Sequence, residues 1–112
     1  WERATAYLEQ RPGTDSDQEM LNLARIESHY FVNRGFFTHE TQLLDGVDLI
    51  RHIPAVIVQG RYDCVCPMKT AWDLHRAWPE AEFVLNQRAG HSMFDPENTS
   101  ALVDAVDRFR AV

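Results

Sequence analysis

At 112 residues, the chain has the length of one small domain or of a piece of a larger one. Its composition, 45% hydrophobic and 25% charged, is that of a globular protein and excludes a disordered one. A formal net charge of −6 argues against a nucleic-acid partner, which calls for a basic patch, and no apolar run approaches the length of a membrane span.

Trp1, Ala4, Tyr7 and Leu8 fall on one helical face, so residues 1–10 read as the end of a helix stopped by Arg11-Pro12-Gly13. The pattern is already under way at Trp1, and the chain is expected to be part of something longer. Ser16 with Glu19 forms a capping box that opens the next helix, predicted over residues 17–33 and stopped at Arg34-Gly35. At ~100° per residue, Met20, Leu21, Leu23, Ala24, Ile26, Tyr30 and Phe31 fill one arc of it, while Asn22, Arg25 and His29 lie opposite. Glu27 falls near the centre of the apolar arc. A carboxylate on a buried stripe is costly unless paired or facing a cavity. Two readings stay open from the residues: an internal ion pair with an arginine, or a carboxylate aimed into a pocket to bind a cation.

Residues 47–52 form a short lead into the stretch Ile53-Pro54-Ala55-Val56-Ile57-Val58-Gln59-Gly60-Arg61-Tyr62-Asp63. Its apolar, β-branched run reads as a strand at 55–59, buried on both faces, with a tight turn delivering Asp63 past its carboxyl end. Pro67 suits the first position of a helix carrying Met68, Ala71, Trp72, His75 and Trp78, which Pro79 ends. A second strand at 81–86 runs into Ala89-Gly90-His91-Ser92. Strand, helix and strand with short connections predict a βαβ unit with parallel strands, so Asp63 and His91 open on one sheet edge. Asp95-Pro96 carries capping chemistry for a last helix, expected to pack Leu102, Val106 and Phe109 on the sheet. The fold class is α/β. Two strands this apolar need more strands beside them, which again points to the carboxyl-terminal part of a larger α/β protein.

An acid after one strand and a histidine after the next have the order and position of the last two members of an α/β-hydrolase triad. The plain alternative is that Asp63 closes a turn and His91 is an ordinary loop histidine. Neither Ser16, Ser28 nor Ser100 lies in a Gly-x-Ser-x-Gly elbow, and Ser92 lacks the second glycine and adjoins His91 on the loop expected to present the base. The nucleophile is therefore expected outside this chain. Cys64 and Cys66 are too close for an ordinary disulfide framework, so a reducing, cytoplasmic setting is expected. Even with His29, His39, His52 and His75, the pair lacks the spacing of a zinc knuckle or redox motif, and neither metal nor cofactor is expected.

Ala24-Arg25-Ile26-Glu27-Ser28-His29-Tyr30-Phe31, the Ile53–Asp63 stretch, Ala71-Trp72-Asp73-Leu74 and Gly90-His91-Ser92 together resemble the proline iminopeptidases, across essentially the whole chain. These are α/β-hydrolase serine peptidases that release an N-terminal proline from peptides, with a mostly helical cap inserted before the last strands. The resemblance implies a division into residues 1–46 as the end of the cap and 47–112 as the end of the hydrolase core. It implies that Asp63 is the triad acid and His91 the base, and that Glu27 and Glu2 match cap glutamates that hold the cationic proline nitrogen. Cys66 matches a cysteine close to the family's active site. Two departures stand out: Gln59 occupies a position where histidine is common, and the segment between Glu2 and Asp17 is short. The partners so implied are a peptide with an N-terminal proline and the amino-terminal part of the hydrolase, without which this chain is expected to be inactive. The rival expectations are another capped α/β hydrolase, an esterase or an epoxide hydrolase, and a truncated, non-catalytic product acting by association.

Overall fold

The computed structural model describes residues 16–110. The helix expected over residues 1–10, and with it Glu2, lies outside the described residues. Helix α1 (Asp17–Val32) begins as its sequence dictates. The Ser16 hydroxyl accepts from the Glu19 N–H at 3.3 Å, and the Glu19 carboxylate accepts from the Ser16 N–H at 2.7 Å, so the capping box is complete. At the other end, the Asn33 side-chain amide donates to the His29 carbonyl at 2.8 Å. A left-handed turn follows, with Arg34, Gly35 and Phe36 at φ of 51°, 62° and 61°. Gly35 adopts this at no steric cost; for Arg34 and Phe36 the conformation is unfavourable and must be held by contacts. For Phe36 those contacts are aromatic, since its ring sits edge-on to Tyr30 at 5.5 Å and tilted against His29 at 5.4 Å.

The apolar arc of α1 was expected to be buried, and among the described residues it is not. Met20, Leu21, Leu23, Ile26, Tyr30 and Phe31 are exposed, because the helix packs chiefly on the turn that follows it. Glu27 is the one residue of α1 that is half-buried.

A single helical turn, α2 (Gln42–Asp45), and a 3-10 turn at Val47–Leu49 lead towards the sheet. Val47 is buried against Trp78 and Ala81, with Ala55, Ile57, Leu74 and Ala77 packed around them, and this is the small hydrophobic core. Arg51 closes that end: its guanidinium meets Glu80 at 2.8 and 2.6 Å and donates to the Ala77 carbonyl at 2.7 Å. An arginine on the last carbonyls of a helix satisfies groups with no partner inside the helix.

Strands β1 (Val56–Gly60) and β2 (Glu82–Asn86) pair in parallel, Val56 opposite Glu82 through Gly60 opposite Asn86. Both start one residue later than the apolar runs suggested, because Ala55 contributes only its carbonyl, which accepts from the Glu82 N–H at 3.0 Å. Helix α3 (Met68–Ala77) joins them, with Pro67 just ahead of its first turn as the N-cap residue. Side chains alternate across a strand, so the two faces see different helices. Ile57 and Phe83, opposite one another in register, lie on the α3 face, where the Phe83 ring packs on His75 at 5.3 Å and Trp72 at 5.8 Å. Asn86 lies on the other face, where its amide donates to Asn98 of helix α4 (Pro96–Phe109) at 2.9 Å.

α4 presents a different face from the one expected. Asn98 and Ala105 are buried and Ala101 is half-buried, whereas Leu102, Val106 and Phe109 are exposed. The hydrogen bonds of Asn98 set the rotation, and the alanines at positions 101 and 105 let the helix approach the strands closely. Arg108 fixes the last turn to the start of β2 through Glu82, at 2.7 Å. No helix among the described residues is long and apolar enough to cross a membrane.

Candidate active site

The site forms where the two parallel strands end. After Gly60 the chain turns back on itself, with the Asp63 N–H donating to the Gly60 carbonyl at 3.3 Å. Two further backbone bonds stitch this turn to the segment after β2: Arg61 N–H to the Asn86 carbonyl at 2.9 Å and Tyr62 N–H to the Ala89 carbonyl at 3.0 Å. Gly60 makes this closeness possible. A Cβ there would stand 2.1 Å from the Gly90 carbonyl oxygen and 2.7 Å from that of Ala89, so only hydrogen fits between the two loops.

The turn delivers Asp63 to His91. Asp63 Oδ2 lies 3.0 Å from His91 Nδ1. Oδ1 accepts from the backbone N–H groups of Val65 at 2.9 Å and Cys66 at 2.7 Å, so the loop wraps around the carboxylate. Gln59, buried at the end of β1, adds its side-chain amide, which donates to the Cys66 carbonyl at 3.2 Å and the Gly60 carbonyl at 3.0 Å and reaches Asp63 Oδ2 at 3.4 Å. The site is graded from inside to outside: the Asp63 side chain is 7% exposed and that of His91 37%. A carboxylate oxygen accepts, so in the neutral ring Nδ1 carries the proton and Nε2 is left as the acceptor. Nε2 has no hydrogen-bond partner among the described residues. A buried acid behind a partly exposed imidazole whose second nitrogen is unpartnered among the described residues can take a proton from a nucleophile and return it to a leaving group.

The His91 loop is held from α4. Asp95 is the N-cap residue of α4, in line with its expected capping chemistry, but its side chain makes no capping bond: Oδ2 accepts from the Gly90 N–H at 2.7 Å instead. The Asn98 amide donates to the carbonyls of Gly90 and Ser92 at 3.1 and 2.9 Å. Ser92 is buried, with its hydroxyl oxygen accepting from the Phe94 N–H at 3.1 Å.

The structure therefore brings Asp63, His91 and Cys66 into one loop cluster. Cys66 is exposed and in no disulfide among the described residues, and its backbone N–H bonds the carboxylate. Glu27 stays apart on α1, and among the described residues no arginine, nor any other side chain, pairs with its carboxylate. The internal ion pair weighed for it is thus not formed among those residues. Gln59, Asp95 and Asn98 were not singled out as site residues from sequence. The one legible signal was spacing, because Asn98, Ala101 and Ala105 repeat as a helix face whose first member is polar.

A sequence profile of α/β hydrolases described as TAP-like protein matches residues 36–110. Among curated proteins, a proline iminopeptidase of Arabidopsis thaliana is 52% identical over 118 residues, covering 100% of this chain and 30% of its own length. A probable proline iminopeptidase of Leptolyngbya boryana is 54% identical over 115 residues, covering 99% and 36%. The proline iminopeptidase of Xanthomonas citri is 51% identical over 113 residues, covering 97% and 36%. The chain spans about a third of the length of these relatives. The two parallel strands with their helices correspond to a carboxyl-terminal part of the α/β-hydrolase fold of those enzymes. By the extent of the profile match, the chain belongs to the TAP-like protein family of α/β hydrolases.

Proposed function

We propose that the protein is a serine-type aminopeptidase that releases N-terminal proline from peptides, and that this chain supplies its acid, its base and one wall of its substrate site. The observation that carries the proposal is the Asp63–His91 hydrogen bond at the ends of parallel strands, in a sequence half identical to proline iminopeptidases.

In this reaction a serine from outside the 112 residues attacks the prolyl carbonyl while His91 Nε2 takes its proton. The C–N bond then breaks, His91 returns the proton to the departing amine, and water repeats the cycle to free proline and serine. Asp63 holds the ring by its Nδ1–H and stabilises the cation formed on it. Glu27 binds the protonated proline nitrogen. Its place on α1 supports this: the residue is half-buried and its carboxylate has no partner among the described residues, which leaves it open to a cation. Glu2 is assigned the same task, and Cys66 lies at the mouth of the site. Residues 1–46 belong to the cap and 47–112 to the core. Lacking a nucleophile, the 112-residue chain alone is expected to be inactive.

The test is turnover of prolyl p-nitroanilide against an acyl p-nitrophenyl ester, using the protein as expressed from its own gene. Release of proline with the ester a poor substrate supports the proposal. Ester turnover without proline release assigns the site to a capped esterase instead.

A further inference from the structure

We propose that Asn98, together with Asp95, is a positioning residue for the base: the first turn of α4 clamps the peptide groups on either side of His91 and so fixes the ring against Asp63. The inference rests on the reading of His91 as the base. Asn98 is 5% exposed and Asp95 4%, both unusual for such residues unless every polar atom is satisfied. They are satisfied almost wholly by the His91 loop. Both Asn98 amide hydrogens go to carbonyls flanking His91, at Gly90 and Ser92, while Oδ1 takes the Asn86 amide at 2.9 Å. Carbonyls only accept, so the orientation of the amide is unambiguous. Asp95, the N-cap residue of α4, takes the Gly90 N–H at 2.7 Å, so both polar groups of Gly90 end at the start of that helix. The Ser92 carbonyl also accepts from the Asp95 backbone N–H at 3.1 Å.

The geometry makes the clamp more than a fastening for the helix. With Gly60 in contact on one side and Asn98 bonding on the other, the backbone before His91 is held between β1 and α4. Releasing one side lets it swing, and the 3.0 Å bond between Nδ1 and Oδ2 is the first contact affected. Proton transfer falls steeply with small misplacement of the base.

The experiment compares wild type with Asn98→Ala, Asp95→Ala and Asp95→Asn in the protein as expressed from its own gene. Two quantities are read: exchange of the His91 Nδ1 proton with water by NMR, and kcat and KM on prolyl p-nitroanilide. Asn98→Ala and Asp95→Ala are expected to speed exchange by ~10-fold or more, as expected when a buried bond is lost. They are also expected to lower kcat by ~10- to 100-fold with KM within roughly twofold, as expected when a base is displaced and binding is not. Asp95→Asn is expected to behave like wild type on both readouts, because an amide oxygen still accepts from Gly90. Unchanged exchange and kcat in folded Asn98→Ala overturns the inference. Should that variant not fold, the Asp95 pair decides: equal loss in Asp95→Ala and Asp95→Asn overturns it, and rescue by asparagine supports it. The NMR arm needs no substrate. A wild-type protein with a protected His91 proton but no proline release therefore refutes the proposed substrate while leaving the clamp standing on its exchange data.

Discussion

Gly60→Ala puts a single methyl group between the two loops of the candidate site. The glycine is not needed for its dihedral freedom, since its φ lies outside the left-handed range, so space alone is at issue. The new Cβ stands 2.1 Å from the Gly90 carbonyl oxygen and 2.8 Å from the Ala89 carbonyl carbon, where ordinary contact begins at 3.4 Å. Backbone cannot rotate out of the way as a side chain can, so Gly90 has to retreat by about 1.3 Å. His91 is the next residue. Displaced as far, its Nδ1 moves from 3.0 Å to beyond hydrogen-bonding distance of Asp63, and the Tyr62–Ala89 bond opens with it. Overpacking costs ~1–3 kcal/mol and a lost hydrogen bond adds ~1, so destabilisation of about 3 kcal/mol is expected. A ~100-fold fall in turnover should accompany it, the cost of ångström-scale misplacement of a catalytic group. Urea unfolding and prolyl p-nitroanilide hydrolysis read the two effects. Gly46→Ala is the internal control, because a Cβ there meets its nearest atom at an ordinary 3.4 Å. If Gly60→Ala matches that control to within ~0.5 kcal/mol and retains full turnover, the close apposition of the loops is wrong.

Two further outcomes follow from other parts of the chain. Glu27→Gln removes the charge proposed to hold the proline nitrogen, and KM should rise by ~10- to 100-fold, the worth of a hydrogen bond to a charged group. Inactivation by a small serine-directed phosphonate should be nearly unaffected, and loss of both activities together would sink the assigned role. Away from the site, the Arg51 guanidinium holds the Glu80 carboxyl below its ordinary pKa of 4.5. A lowered acid stabilises the fold above its unfolded-state value and loses that contribution as the pH falls through the folded one. The difference in melting temperature between wild type and Glu80→Gln should therefore be constant above pH 4.5 and close progressively below it. A difference that persists in strong acid contradicts the pairing.

What was legible in the sequence was local. The capping box at Ser16, the β-branched run before Gly60 and the turn residues around Pro67 and Pro96 each specify conformation from neighbours alone. Asp63 and His91 could be paired from sequence because parallel strands bring their post-strand loops to one edge. The facing of helices was less legible. α4 looked amphipathic through Leu102, Val106 and Phe109, yet the hydrogen bonds of Asn98 turn its small residues to the sheet. A contest between polar satisfaction and apolar area is decided by three-dimensional partners that periodicity does not contain. Asp95 takes the N-cap position that an aspartate before Pro-Glu suggests, but only the nearby Gly90 N–H shows where its carboxylate goes. Glu27 was expected on a buried apolar stripe, but its apolar neighbours find no cover among the described residues.

The central claim, that Asp63 and His91 are the acid and base of a proline-releasing hydrolase, is tested most directly by Asp63→Asn in the protein as expressed from its own gene. Asparagine is isosteric and keeps the loop filled, but its amide can no longer hold His91 by an ionic acceptor. The account predicts that wild type hydrolyses prolyl p-nitroanilide and that the variant loses turnover by ~10⁴-fold with KM little changed. A folded variant that turns over at the wild-type rate contradicts it.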